Sequence, residues 1–209
     1  MEDILEVYTR PYDEKYPQLC LDEASKQLLA ETRQPIPIKP GQARRFDFEY
    51  RREGNANLFM IFEPLAAKRE VVVTDRRTKV DFAEIVRLLV EERYPDAEKI
   101  VLVMDNLNTH KPASLYEKFD PAHARRLIEK LEIHYTPKHG SWLNMAEIEL
   151  SCLARQCLNR RISEQAHLHD EVRRWQQDRN AKARAVDWRF RTVDARIKLK
   201  RLYPILDET

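Results

Sequence analysis

Three carboxylates stand where the chain can hold them rigidly. Asp105 closes the run Lys99-Ile-Val-Leu-Val-Met-Asp105, an almost wholly apolar strand that ends in an acid. Asp22 ends a second apolar run, Gln18-Leu-Cys-Leu21, and Glu147 opens a helix after Gly140-Ser-Trp-Leu-Asn-Met-Ala146. A buried strand that delivers an acid to its carboxyl end fixes that group at the mouth of a sheet. Hard divalent cations take oxygen ligands, and carboxylates also offset their charge. Two strand ends and one helix start bearing acids would therefore make a metal site for phosphodiester chemistry. Two such ions, about 3.5–4 Å apart, activate an attacking oxygen and stabilise the leaving one.

Each acid has a competitor or a neighbour to weigh. Glu23 follows Asp22, and on a strand consecutive side chains point to opposite faces, so only one of them lines the site. Glu147 and Glu149 fall on opposite margins of an apolar helical stripe, which does not choose between them. Acids near a helix start also compensate the helix dipole without doing chemistry. His110 either orients water or phosphate beside Asp105 or caps the following turn. Asn106 either hydrogen-bonds a metal-bound water or satisfies the turn. Lys138, His139, Ser141 and Trp142 precede Glu147; Lys138 could meet a phosphate and Trp142 could stack on a base. A tryptophan plugging a helix–sheet junction is the competing reading.

The elements that must position these groups follow from periodicity. Strands are expected at about Gln18–Asp22, Arg45–Arg51, Asn57–Glu63, Glu70–Thr74, Ile100–Asp105 and Glu132–Thr136, with Gly54-Asn55 as a turn. The three alternate prolines of Gln34-Pro-Ile-Pro-Ile-Lys-Pro40 require extended backbone. Helices are expected over Lys79–Tyr94, with Val80, Phe82, Ala83, Val86, Leu89 and Val90 inward, over Pro121–Lys130, from about Asn144, and over Glu164–Arg184.

Composition sets limits. The chain has 209 residues, 43% hydrophobic and 34% charged, enough for one substantial core. Three glycines leave no Gly-rich phosphate loop, which excludes P-loop and dinucleotide-fingerprint readings. Net charge is only +2, yet Arg155–Arg201 holds 14 Lys/Arg against 6 Asp/Glu. That stretch either lies on a polyanion, with Arg160, Arg161, Arg173 and Arg174 as backbone contacts, or is a solvated surface. Trp175 and Trp188 read as core. Cys20, Cys152 and Cys157 form an odd, sparse set, which argues for a reducing compartment rather than a disulfide framework. Cys152 and Cys157 with His167 and His169 fit no usual zinc spacing. No signal peptide is visible at Met1-Glu-Asp-Ile, and no apolar run reaches membrane-spanning length.

Cys20-Leu-Asp22-Glu23, Val103-Met-Asp105-Asn106 with His110, and Leu143-Asn144 before Glu147 together resemble the three blocks of the DDE superfamily of transposases, closest to the mariner-like branch of bacterial insertion sequences. The third block of that branch reads roughly Ser-Pro-x-Leu-Asn-Pro-x-Glu; here Leu143, Asn144 and Glu147 match while both prolines are replaced. This register selects Glu147 over Glu149. The resemblance runs from about residue 17 to 204. It implies an α/β, ribonuclease-H-like fold with a five-stranded mixed sheet flanked by helices. In domain terms, 1–16 is an N-terminal linker remnant, 17–162 the catalytic domain, and 163–209 a basic helical C-terminal extension packed on it. It also implies two Mg²⁺ ions, with Mn²⁺ as substitute: Asp22 bridging, Asp105 holding one ion and Glu147 the other. The implied activity is cleavage and strand transfer at transposon ends, on double-stranded DNA, by a homodimer in the bacterial cytoplasm, at the nucleoid when active. The amino-terminal helix-turn-helix region of full-length relatives is not seen. The alternatives are a ribonuclease-H-like nuclease without strand transfer and a non-catalytic DNA-binding remnant.

Overall fold

The computed structural model describes residues 1–34, 36, 39–42, 47–138, 140–182 and 184–203. Five strands form one mixed sheet in the order β3-β2-β1-β4-β5. They are β1 (Gln18–Glu31), β2 (Tyr50–Glu63), β3 (Lys68–Thr74), β4 (Ile100–Met104) and β5 (Leu131–Tyr135). The first three pair antiparallel, while β4 lies parallel between β1 and β5. The helices are α1 (Glu2–Val7), α2 (Lys79–Arg87), α3 (Pro121–Glu129), α4 (Met145–Gln156), α5 (Gln165–Lys182) and α6 (Thr192–Lys198). This is the ribonuclease-H-like arrangement expected from the motif blocks.

Both faces of the sheet are covered, which explains why β4 is apolar at every position. On one face, Leu19, Leu21, Phe59, Ile61, Ile100 and Leu102 pack with Phe82, Val86 and Leu89 of the α2 region and Leu127 of α3. On the other, Cys20, Met60, Phe62, Val101 and Val103 pack with Leu150 and Leu153 of α4 and Leu168 and Val172 of α5. Residues 1–16 do not behave as a linker: Ile4, Leu5 and Val7 of α1 are fully buried in this second cluster.

Several expected boundaries change. β1 runs past Asp22 to Glu31, because its apolar stretch marks only the part paired on both sides. Parallel pairing with β4 stops at Cys20↔Val103, and the remainder pairs with β2 alone. Gly54-Asn55 is not a turn between two strands; both residues lie inside β2. There the register slips from Leu28↔Gly54 to Leu29↔Arg52, and Gly54 has φ 128°, a bulge conformation that suits glycine. Arg45 and Phe46, assigned to a separate strand, lie outside the described residues. The helix from Lys79 begins with a Thr78–Asp81 capping box and becomes π-helical over Leu88–Arg93 before Pro95. Val80, expected inward, is 39% exposed at the start of α2.

Candidate active site

Asp22 and Asp105 emerge from neighbouring strands. Asp22 sits two residues beyond the last β1–β4 pair, and Asp105 is one residue beyond the end of β4. Asp22 pairs in register with Met60 and so shares the sheet face that carries α4. Glu23 pairs with Phe59 and takes the α2 face. The strand alternation thus sends the two acids to opposite faces of the sheet.

Asn144 brings the third acid in. It is the N-cap of α4, accepting from the Ala146 amide at 3.1 Å, and its Nδ2 donates to the Leu21 carbonyl at 2.9 Å. The side chain is 99% shielded, so this one amide caps the helix and pins its start to β1 beside Asp22. The Tyr8 hydroxyl from α1 donates to the Leu143 carbonyl at 2.5 Å and braces the same turn. Upstream, a Cβ at position 140 would lie 2.6 Å from the Pro137 ring, so the tight turn needs Gly140. Glu147 occupies the first turn of α4 and is exposed.

Charge follows this geometry. Burial raises the Asp22 carboxyl to about 6; a hydrogen bond from the Glu23 amide opposes the rise, and the charges of Asp105 and Glu147 add to it. Asp22 is half-buried and has no salt bridge among the described residues; the charge of His110 offsets part of the repulsion from the two neighbouring acids. These are hard oxygen donors suited to a divalent cation. Among the described residues, however, no three His, Cys, Asp or Glu side chains stand close enough to grip one ion. Asp105 and Glu147 lie within electrostatic reach of Asp22 rather than forming a closed ligand cage with it.

His110 lies behind the acids rather than among them. Its ring is fully buried beside Phe82, with centroids 5.0 Å apart. Its Nδ1 is 2.5 Å from Asp105 Oδ1, and a carboxylate can only accept, so the ring donates. Burial alone would lower the imidazole, but Asp105 and Glu23 outweigh it and raise it to about 9. Asn106 is exposed in the loop between them.

Glu149, the rival on α4, is accounted for structurally. It is buried and receives both Nε and Nη2 of Arg179, at 2.8 and 3.0 Å, with Arg69 Nε at 3.1 Å. Sequence reasoning missed Arg69, which is 97% shielded within a β-strand and carries no local signal.

The nucleic-acid candidates are spread out. Lys138 is exposed, and His139 lies outside the described residues. Trp142 is not a plug: it is 40% exposed and meets Phe190 edge-on at 5.8 Å. Arg160 pairs with Glu171, and Arg161 pairs with Glu31 while donating to the Glu49 and Phe48 carbonyls. Arg173 pairs with Asp170 and Arg174 with Glu171 along α5, both exposed. Trp175 and Trp188 pack against the core, as expected.

Comparison with known proteins bears on the fold and the family. The fold is similar to the Mos1 mariner paired-end complex with Mn, at 15% identity and TM-score 0.56, covering 87% of this chain and 53% of that one. It is also similar to the Mos1 strand transfer complex, at 13% identity and TM-score 0.54, covering 88% and 52%. A Mos1 paired-end complex with Mg gives 13% identity and TM-score 0.52, covering 89% and 62%. The chain therefore spans little more than half the length of these neighbours, and at such identities the likeness shows the fold. No curated protein is significantly similar in sequence. The family model for DDE superfamily endonucleases matches residues 17–169, which include all three acids and most of the chain, and the chain belongs to that family.

Proposed function

We propose that this chain is the catalytic domain of a DNA transposase, with Asp22, Asp105 and Glu147 as its catalytic carboxylates. The observation that carries the reading is the meeting of three motif blocks. Asp22 is driven up to about 6 partly by Asp105 and Glu147, and Asn144 ties the third block to the first. Asp22, Asp105 and Glu147 would be the residues that hold Mg²⁺ or Mn²⁺. Bound ions would supply Lewis-acid polarisation of the phosphodiester and a more acidic attacking water.

The chain's own residues do the rest. β1 and β4 fix two acids on adjacent rigid strands, and α4 presents the third from its capped first turn, so positioning is built into the scaffold. Ionised Asp22 is costly in the metal-free site, and a nearby cation relieves that cost. In cleavage, a water oxygen bonds to phosphorus as the 3′ oxygen leaves. In strand transfer, the freed 3′-OH bonds to a target phosphorus, losing its proton, as the target strand's own 3′ oxygen leaves and is protonated. Exposed Lys138 and Trp142, just before Glu147, are suited to meeting phosphate and base. The exposed Arg173 and Arg174 are candidates for backbone contacts, and a homodimer on paired DNA ends fits the reading.

The test is Mg²⁺- or Mn²⁺-dependent nicking of supercoiled plasmid by the chain and by Asp105→Asn, alongside joining of a pre-cleaved 3′-OH duplex. Nicking that survives EDTA, or that Asp105→Asn leaves unchanged, overturns the assignment. Nicking without joining would instead indicate a nuclease.

A further inference from the structure

We propose that Glu23 and His110 are positioning residues that set the orientation of the Asp105 carboxylate from the far side of the sheet. The proposal rests on Asp105 being a metal-holding acid. β1 places two consecutive acids on opposite faces, and both lead to Asp105. Asp22 reaches it across the front, by charge. Glu23 reaches it from behind, through the imidazole of His110.

The geometry of the rear path is specific. His110 Nδ1 donates to Asp105 Oδ1 at 2.5 Å. The other nitrogen, Nε2, is buried and has no hydrogen-bond partner, and the Glu23 carboxylate stands 3.7 Å from it. Glu23 is itself shielded, its side chain 5% exposed, with Arg77 3.6 Å away. The ring cannot drift, because Phe82 lies against it and the Tyr135 hydroxyl donates to the His110 carbonyl at 2.9 Å. One Asp105 oxygen is thereby tied to a fixed ring, which limits how its carboxylate can turn toward the site. An imidazole between a ligating carboxylate and a second acid has the form of an outer-layer support, whose loss commonly costs 10–100-fold in metal affinity or activity.

Two readouts test the idea. In the EDTA-treated chain, the downfield Nδ1–H proton of His110 reports the bridge by NMR. It is expected in wild type and should shift in Glu23→Ala, with a smaller shift in Glu23→Gln, which keeps an acceptor. Manganese affinity, from loss of the free Mn²⁺ EPR signal, should weaken about 10-fold in Glu23→Ala, toward the lower end of the range above. His110→Asn places an amide near the Nδ1 position but cannot reach Glu23. It should retain part of the affinity, and adding Glu23→Ala to it should cost nothing more. His110→Gln, which reaches toward Glu23 and not Asp105, should not rescue. An unmoved imidazole proton together with wild-type Mn²⁺ affinity in Glu23→Ala overturns the proposal. So does an equal loss in the His110→Asn background, because Glu23 would then act by another route. Wild type that fails to bind Mn²⁺ overturns the metal reading as well, whereas Mn²⁺ binding that is sensitive to Asp105→Asn but not to Glu23→Ala removes only the positioning role.

Discussion

Replacing Asp22 by Asn should stabilise the metal-free protein, and the size of the gain follows from the site. The carboxyl rises from 3.8 to about 6 in the fold, chiefly through burial and then through Asp105 and Glu147. A native-state pKa above the unfolded value means that the fold favours the protonated acid. Its contribution to stability is therefore full below pH 3.8 and is lost as pH rises through about 6. At about 1.4 kcal/mol per pH unit the penalty at pH 8 has a ceiling of about 3 kcal/mol, and partial exposure reduces it to about 1–2 kcal/mol. For a chain of this size that is a rise in Tm of roughly 2–8 °C. Asn keeps an oxygen to accept from the Glu23 amide, now at 2.8 Å, so the hydrogen bond survives while the charge goes. Urea denaturation in EDTA at pH 4.5, 6 and 8 should show the two proteins converging in acid and the variant ahead at pH 8. Adding Mn²⁺ should reverse the order, since an ion at 100 times its Kd stabilises the binding-competent protein by about 2.7 kcal/mol. A variant no more stable than wild type at pH 8, or offset equally at every pH, would refute the argument that the fold disfavours ionised Asp22.

The remaining predictions address the neighbours of that acid. Asp105→Ala should abolish cutting and also destabilise by about 1–3 kcal/mol, because it strands the buried His110 donor; Asp105→Asn should lose cutting with a much smaller change in a denaturant melt. Wild-type stability should fall again as pH rises from 6.5 through about 9, where His110 gives up its proton, and His110→Asn should flatten that limb in the same urea series. Gly140→Ala forces a methyl into the Pro137 ring and should cost about 1–3 kcal/mol in a thermal melt while reducing nicking. DNA affinity should fall with salt by about 0.9 log unit per log unit for each neutralised phosphate, and Lys138→Gln should shallow the slope by about that amount in an anisotropy titration.

Much of this was legible because the relevant signals are local. The apolar run ending at Asp105 read as a buried strand, and the Leu143-Asn144 register before Glu147 marked a helix start. Asn144 then proved to cap that helix and to hold it to β1, which its place in the motif alone could not reveal. What stayed hidden were features decided by partners distant in sequence. β1 continues past Asp22 because β2 pairs with it, although no apolar pattern extends that far. Gly54 looked like a turn because glycine serves turns and bulges for the same reason, a positive φ. The helical pattern alone left Glu149 level with Glu147, and only the motif register separated them; the partners that claim Glu149, Arg179 and Arg69, the latter 80 positions away, were not legible.

The acids also explain why two of them sit side by side. Adjacent carboxylates on a helix diverge by only about 100°, whereas a strand sends Asp22 to the α4 face and Glu23 to the α2 face. Asp105 stands at the edge where β4 ends and both faces are within reach, so one strand can load it from two directions. The front contact is repulsive, and it raises the free energy of the site until a cation arrives. The rear contact is attractive and keeps Asp105 from escaping that repulsion by turning away. A site arranged in this way is destabilised without metal yet does not collapse. This is why replacement of Asp22 and of Glu23, one position apart, should move metal-free stability and metal affinity in different proportions.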